Sequence, residues 1–216
     1  MILSIDTTSE FGSLALTDAT GTIDEIRLHS PDGFGHILFE HLDRLLRRQS
    51  LNVNQIECFA ATSGPGSFTG VRVGLTAAKG LAEATGKPVV AISNLQALAF
   101  FGTAPLRATV LDARRGEIYG AVYDAGLCAV APETVMKFDA WLRTLPQSGL
   151  EFIATDFEPF RPYADPAIPV VIAPRALAIA AGRIAWNRLR DGLISDPAQI
   201  DANYVRRSDA ELFWKE

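Results

Sequence analysis

The chain has 216 residues, 48% of them hydrophobic and 21% charged, with a net charge of −5. That length buries a real core in one large domain or two small ones. The acidic balance argues against a protein that grips nucleic acid by itself, which normally shows a basic face.

In chain order, Ile2 to Asp6 is a short apolar strand ending in a carboxylate, with no basic segment of a secretion signal before it. Gly12 to Thr17 and Thr22 to Leu28 extend it into a meander through turns rich in Asp, Ser, Thr and Gly. A helix over Gly35 to Gln49 follows, with Ile37, Leu38, Leu42, Leu45 and Leu46 on one stripe. Ile56 to Thr62 is a fourth strand, and the helix after Gly64-Pro-Gly-Ser67 runs to about Ala84. Gly86-Lys-Pro88 stops it, and Val89 to Ile92 is a fifth strand. The order β-β-β-α-β-α-β then restarts. Leu106 to Asp112 again ends in a carboxylate, and Glu117 to Asp124 and Cys128 to Ala131 form a second meander. A helix at Phe138 to Leu145 precedes strands at Glu151 to Ala154 and Val170 to Ala173. The last helix spans Arg175 to Arg190, opened by Pro174 and closed by Gly192.

This duplication predicts two α/β domains, residues 1–104 and 105–216, each a mixed sheet with flanking helices. Cys58 and Cys128 fall in predicted strands without metal-binding spacing, and both read as reduced core thiols. Apolar stretches such as Leu177 to Trp186 are far short of the about 20 residues a membrane span needs. The expectation is a cytoplasmic protein with no membrane contact.

A carboxylate closing the first strand, then a polar turn and a strand starting on glycine, is the layout of actin-like and sugar-kinase-like ATPases. There the Asp holds a metal-bound nucleotide through water, and turn amides such as those of Thr7, Thr8 and Ser9 take phosphate oxygens. An Asp that accepts from the amides of its own turn gives the same pattern. GPGSFTG, residues 64–70, is a second phosphate candidate, because a glycine-rich helix start is an anion site in principle. It is not a P-loop, since Val71-Arg72 follows Gly70 where a lysine is required, and no strand–helix–strand opening marks a dinucleotide fold. Ser67 is placed to cap the helix and Pro65 to fix the turn.

Along that helix Gly70, Gly74, Ala77 and Leu81 form one stripe, and Val71, Leu75, Ala78 and Ala82 its neighbour. Two apolar stripes bury more than half the circumference. Each internal glycine costs roughly 0.5–1 kcal/mol against alanine. The glycines therefore predict a second helix backbone in close approach, from this chain or from a partner.

The stretches ILSIDTTSEFGSLAL, SGPGSFTGVRVGLTAAKGLA, DARRGEIYGAVY and NYVRR, in this order, resemble the TsaB (YeaZ) family of tRNA-modification proteins along the whole chain. The resemblance implies two ribonuclease-H-like domains of the actin-like ATPase type and a catalytically silent subunit. Its partners would be a catalytic TsaD-like paralogue and a TsaE-like ATPase. Their complex transfers threonylcarbamoyl to N6 of the adenosine 3′ of the anticodon in tRNAs reading codons that begin with A. This subunit would meet tRNA only through the complex and pair with itself when alone. The interface implied is Leu38, Leu42, Leu45, Phe68, Gly70, Val71, Gly74, Leu75 and Ala78. Asp6, Thr7 and Thr8 would be the vestige of a nucleotide site that holds no cofactor tightly, with ATP or ADP at the complex interface.

The catalytic paralogue carries a His-x-x-x-His metal pair after its fifth strand, where this chain reads ISNLQALA with Asn94 and Leu98 at the ligand positions. Leucine ligates no metal, so no site of that kind is built. His29, His36 and His41 do not replace it: His36 and His41 are five apart, on different sides of a helix, and read as surface or capping residues. Arg114, Arg115 and Glu117 read as a hairpin ion pair and Tyr119 and Tyr123 as sheet-packing aromatics. Arg206-Arg207 would add one or two phosphate contacts at most, with Asp209 and Glu211 following. Two other readings compete. One is an active ATP-dependent kinase or ATPase using Asp6, with Asp112 as base. The other is a metallopeptidase, which would need bound zinc.

Overall fold

The computed structural model describes residues 1–206. The described residues split into two compact units, residues 1–97 with 174–202, and residues 98–173 with 203–206.

In the first unit β1 (Ile2–Asp6) lies at the centre of a five-stranded sheet. It pairs antiparallel with β2 (Phe11–Thr17), which pairs with β3 (Thr22–His29). On its other side run β4 (Cys58–Thr62) and β5 (Val89–Ile92), both parallel. Strands covered on both faces need continuous apolar runs, and β1 and β4 are buried at every position. Helix α1 (Leu38–Arg48) buries Leu38, Leu42, Leu45 and Leu46, the stripe the spacing predicts. Helix α2 (Phe68–Thr85) starts where the Ser67 Oγ accepts from the Gly70 amide at 3.3 Å, and ends at Gly86 with φ +64°. Helix α3 (Asn94–Ala99), to which the sequence pattern assigns no element, follows β5.

The second unit repeats the topology. β6 (Leu106–Arg114) is central, flanked antiparallel by β7 (Glu117–Asp124) and then β8 (Ala129–Lys137). β9 (Leu150–Ala154) and β10 (Val170–Ile172) add parallel strands on its other side. The short α4 (Phe138–Leu142) sets Phe138 and Trp141 into an aromatic core with Phe152 and Phe157.

Four expectations change. The last helix, α5 (Ala178–Arg190), belongs to the first unit, packed on β1 and β2, so a linear boundary at residue 104 does not follow the compact units. It also starts three residues later than Arg175, and the Leu177 amide just before it donates to a side chain on β1. Cys128 is exposed and precedes β8, since the Asp124 carboxylate holds its amide at 2.9 Å in the turn. β8 runs on to Lys137 through Pro132, which an edge strand tolerates. Cys58 is the buried thiol expected, and burial pushes it up to about 12.

Trp141 is 2% exposed, and a Cβ on Gly120 would come within 2.6 Å of its ring. Trp141→Ala should cost about 3–5 kcal/mol, read as a lower urea midpoint for the second unit, while Leu145→Val should cost less.

Candidate functional site

The end of β1 turns sharply into β2, and this turn is the centre of the first unit's polar chemistry. Asp6 is 1% exposed. Its Oδ1 accepts from the Thr8 amide (3.1 Å), the Thr8 hydroxyl (2.7 Å) and the Thr62 hydroxyl (2.8 Å), and its Oδ2 from the Leu177 amide (2.9 Å). Three of these four protein donors converge on Oδ1, which saturates it, while Oδ2 takes the Leu177 amide and keeps one lone-pair direction. Burial lifts the Asp6 carboxyl above its ordinary range, the hydrogen bonds from Thr8, Leu177 and Thr62 pulling the other way. A metal-bound water would find Oδ1 taken and only Oδ2 able to accept it, on a side chain that is 1% exposed.

The glycine-rich loop closes over the same turn. Gly64 has φ +101°, a conformation that favours glycine, and its peptide bond to Pro65 is cis. The Ser67 amide donates to the Thr8 carbonyl at 2.7 Å, and a Cβ on Gly66 would strike that same oxygen. One turn on, a Cβ on Gly70 would overlap the Thr7 carbonyl, and one on Gly74 would lie 2.6 Å from the Thr7 Oγ1. Thr7 returns the contact by donating its hydroxyl to the Gly70 carbonyl at 2.7 Å. The close approach these glycines permit is therefore that of the Thr7–Thr8 turn and not of a second helix. Asn94 completes the closure. Its Oδ1 accepts from the Gly64 amide at 3.0 Å, its own amide donates to the Gly64 carbonyl, and its Nδ2 donates to the Thr8 hydroxyl. At the position of the paralogue's first histidine stands a buried loop clamp. Leu98 is fully buried, and among the described residues no group of three His, Cys, Asp or Glu could hold a metal.

The expected interface residues separate into two sets. Leu42, Leu45, Val71, Leu75 and Ala78 belong to the first unit's core, and Gly70 and Gly74 press on Thr7, so none offers a surface. Leu38 and Phe68 border an apolar groove of about 730 Å³ between α1 and α2, shared with Phe39, Arg72, Val73 and Leu81. Phe39 is 58% exposed and Phe68 49%, with the Arg72 guanidinium 3.8 Å above the Phe68 ring. Phe39 escaped the sequence reading because it sits beside the leucine stripe and before Glu40. A large aromatic on the outer side of an amphipathic helix is the signal that would have found it.

Elsewhere the reading is corrected in detail. Asp112 is exposed at a bulge and accepts from its own Arg114 amide at 2.7 Å, the bland turn role. Glu117 pairs with Arg206 and not with Arg114 or Arg115, so the Arg206 guanidinium is committed within the chain and not presented to phosphate. Arg207, Asp209 and Glu211 lie outside the described residues. His29 and His36 are exposed as expected, while the Nδ1 of half-buried His41 has no hydrogen-bond partner.

A family model described as TsaD, tRNA N6-adenosine threonylcarbamoyltransferase, matches residues 34–164. The chain is 36% identical to the Haemophilus influenzae tRNA threonylcarbamoyladenosine biosynthesis protein TsaB over 55% of its length and 51% of that protein. It is 31% identical to the Bacillus subtilis protein of the same name over 67% of its length and 65% of that protein. The matched part thus spans between about half and two thirds of these curated relatives. The structure of YeaZ from Pseudomonas aeruginosa superposes with a TM-score of 0.83 at 22% identity, covering 94% of this chain and 98% of that one. That likeness fixes the fold: two ribonuclease-H-like halves of the actin-like type.

Asp6→Asn offers an amide group where Leu177 or the threonines donate, and should cost about 1–3 kcal/mol at pH 7. Because burial raises the Asp6 pKa, its contribution is fully present below the unfolded value of 3.8 and falls as pH rises through the folded one. The variant cannot titrate there. Urea denaturation should show the wild type's advantage over Asp6→Asn growing as pH is lowered from about 7 towards 4.

Proposed function

Because this chain belongs to the family of the TsaD model, on its TsaB (YeaZ) side, we propose that it is the partner subunit of a tRNA threonylcarbamoyladenosine-forming complex and performs no chemistry alone. A TsaD-type subunit carries the transfer to N6 of the adenosine 3′ of the anticodon, with a TsaE-type ATPase as further member. This chain supports and activates the TsaD-type subunit and reaches tRNA only through it.

The observation that carries the reading is the buried Asp6 carboxylate, with Oδ1 saturated by three donors and Oδ2 bound to the Leu177 amide. An actin-like enzyme keeps that oxygen pair available to a metal-bound nucleotide. Here the turn, β4 and the start of α5 take it up, and Asn94 and the glycine loop close over what remains. Support for a docking role comes from the α1–α2 groove, whose exposed Phe39 and Phe68 form an apolar channel with one guanidinium at its side. Large aromatics and arginine are the side chains that anchor protein interfaces. The occupant is the TsaD-type paralogue, and a second copy of this chain takes its place in isolation.

Two measurements test this. The isolated chain should show no ATP turnover with Mg²⁺ by calorimetry and no transfer to tRNA, and transfer should appear on mixing with the TsaD- and TsaE-type proteins. Turnover by the chain alone would promote the kinase or ATPase reading. Phe39→Asp should weaken association with the TsaD-type subunit by about tenfold or more, by titration calorimetry, with an unchanged unfolding midpoint. Equal affinity would place the partner elsewhere.

A further inference from the structure

In the second unit the stretch around Glu117 and the stretch around Arg206 meet. Arg206 donates one side of its guanidinium to the Glu117 carboxylate and Nη1 to the Ala113 carbonyl at 2.9 Å, and lies 5.8 Å from the centre of the Tyr119 ring. Three residues earlier, Asn203 donates its Nδ2 to the Glu133 Oε2 at 2.6 Å, while the Tyr123 hydroxyl holds the other oxygen, Oε1, at 2.7 Å. Ala113, Glu117, Tyr119, Tyr123 and Glu133 all come from β6, β7 and β8, so a rigid sheet presents two carboxylates and an aromatic face at a fixed spacing.

The segment they hold is of a different character. Residues 201–206 form neither helix nor strand, and none of them is fully buried. Ile200, just before, is buried in the first unit's core. The attachment described here resides in side chains three positions apart, and charge-assisted pairing of arginine with a carboxylate, backed by an aromatic face, is how short basic peptides are recognised. Segments outside helices and strands, with no fully buried residue, open at lower free energy than a core sheet.

We propose that Glu117, Tyr119, Tyr123 and Glu133, with the Ala113 carbonyl, form a docking site for an Asn-x-x-Arg peptide segment, filled in this structure by the chain's own residues 203–206 acting as a releasable strap. Tethering gives the strap a high effective concentration, so it excludes a free peptide until its own anchors are removed.

The test uses the full-length chain carrying Asn203→Ala and Arg206→Ala, and a fluorescein-labelled peptide of the sequence 201–206, followed by anisotropy. The peptide should bind the double variant saturably and at least about tenfold more tightly than the wild type. Adding Glu117→Gln and Glu133→Gln should abolish that binding. Equal binding to both chains, no binding to the double variant, or binding that survives loss of both carboxylates would overturn the proposal. Should the double variant not fold, hydrogen exchange on the wild type decides. Amides 203–206 exchanging far faster than those of β7 support a releasable strap, and exchange at the rate of β7 overturns it.

Discussion

A carboxylate taken out of water has to be met by donors, and the first unit is organised around the donors that meet Asp6. They come from three separate parts of the chain: the turn after β1, the end of β4, and the residue that precedes α5. Ser4 and Ser13 extend the same attachment. The Ser4 hydroxyl donates to the Ala178 carbonyl at 2.7 Å, and the Ala178 amide donates to the Ser13 Oγ at 3.0 Å. The start of α5 is thus held at both its amides and a carbonyl by side chains of β1 and β2. This is why a helix near the end of the chain completes a sheet begun by its first residues. Gly182 lets it lie close, since a Cβ there would come within 2.7 Å of the Thr17 Oγ1.

The glycine-rich loop is part of the same closure. In a nucleotide-binding relative of this architecture, a polar turn with free amides would face phosphate. Here Thr8 uses its amide and hydroxyl on Asp6, its carbonyl on Ser67, and receives Asn94. The loop glycines are small because Thr7 and Thr8 occupy the volume a side chain would take. The turn and the loop hold each other in place. The apolar groove between α1 and α2 stays open to solvent.

The second unit repeats the strand order without repeating this chemistry. Asp112 is the counterpart of Asp6 in the repeat, but it lies two residues before the end of its central strand, is exposed, and accepts from the Arg114 amide. Nothing in its surroundings has to be recruited from afar. Cohesion comes instead from Phe138, Trp141, Phe152 and Phe157, whose rings lie 5.0 to 6.4 Å apart between centroids. On the polar side, Glu117 and Glu133 bind the returning chain at Arg206 and Asn203. One topology is therefore stabilised in two ways: a buried charge with its donors in one half, and an aromatic cluster with a polar strap in the other.

The duplicated meander, the leucine stripe of α1 and the two ends of α2 were legible in the sequence, because alternation, helical spacing, Ser67 and Gly86 act on neighbours a few residues away. The strand-end position of Asp6 was legible too, but not whether its oxygens were open. That depends on Thr62 and Leu177, which are distant in sequence and have no local signature. The small-residue stripes on α2 likewise signalled a close approach, but pointed to a second helix, where the Thr7 turn is what presses on Gly70 and Gly74. Local order follows from short-range backbone and side-chain preferences, which residues carry with them. Which surface is spent on packing and which stays open is decided only when remote segments compete for the same donors and volume, and that competition exists only in the folded chain.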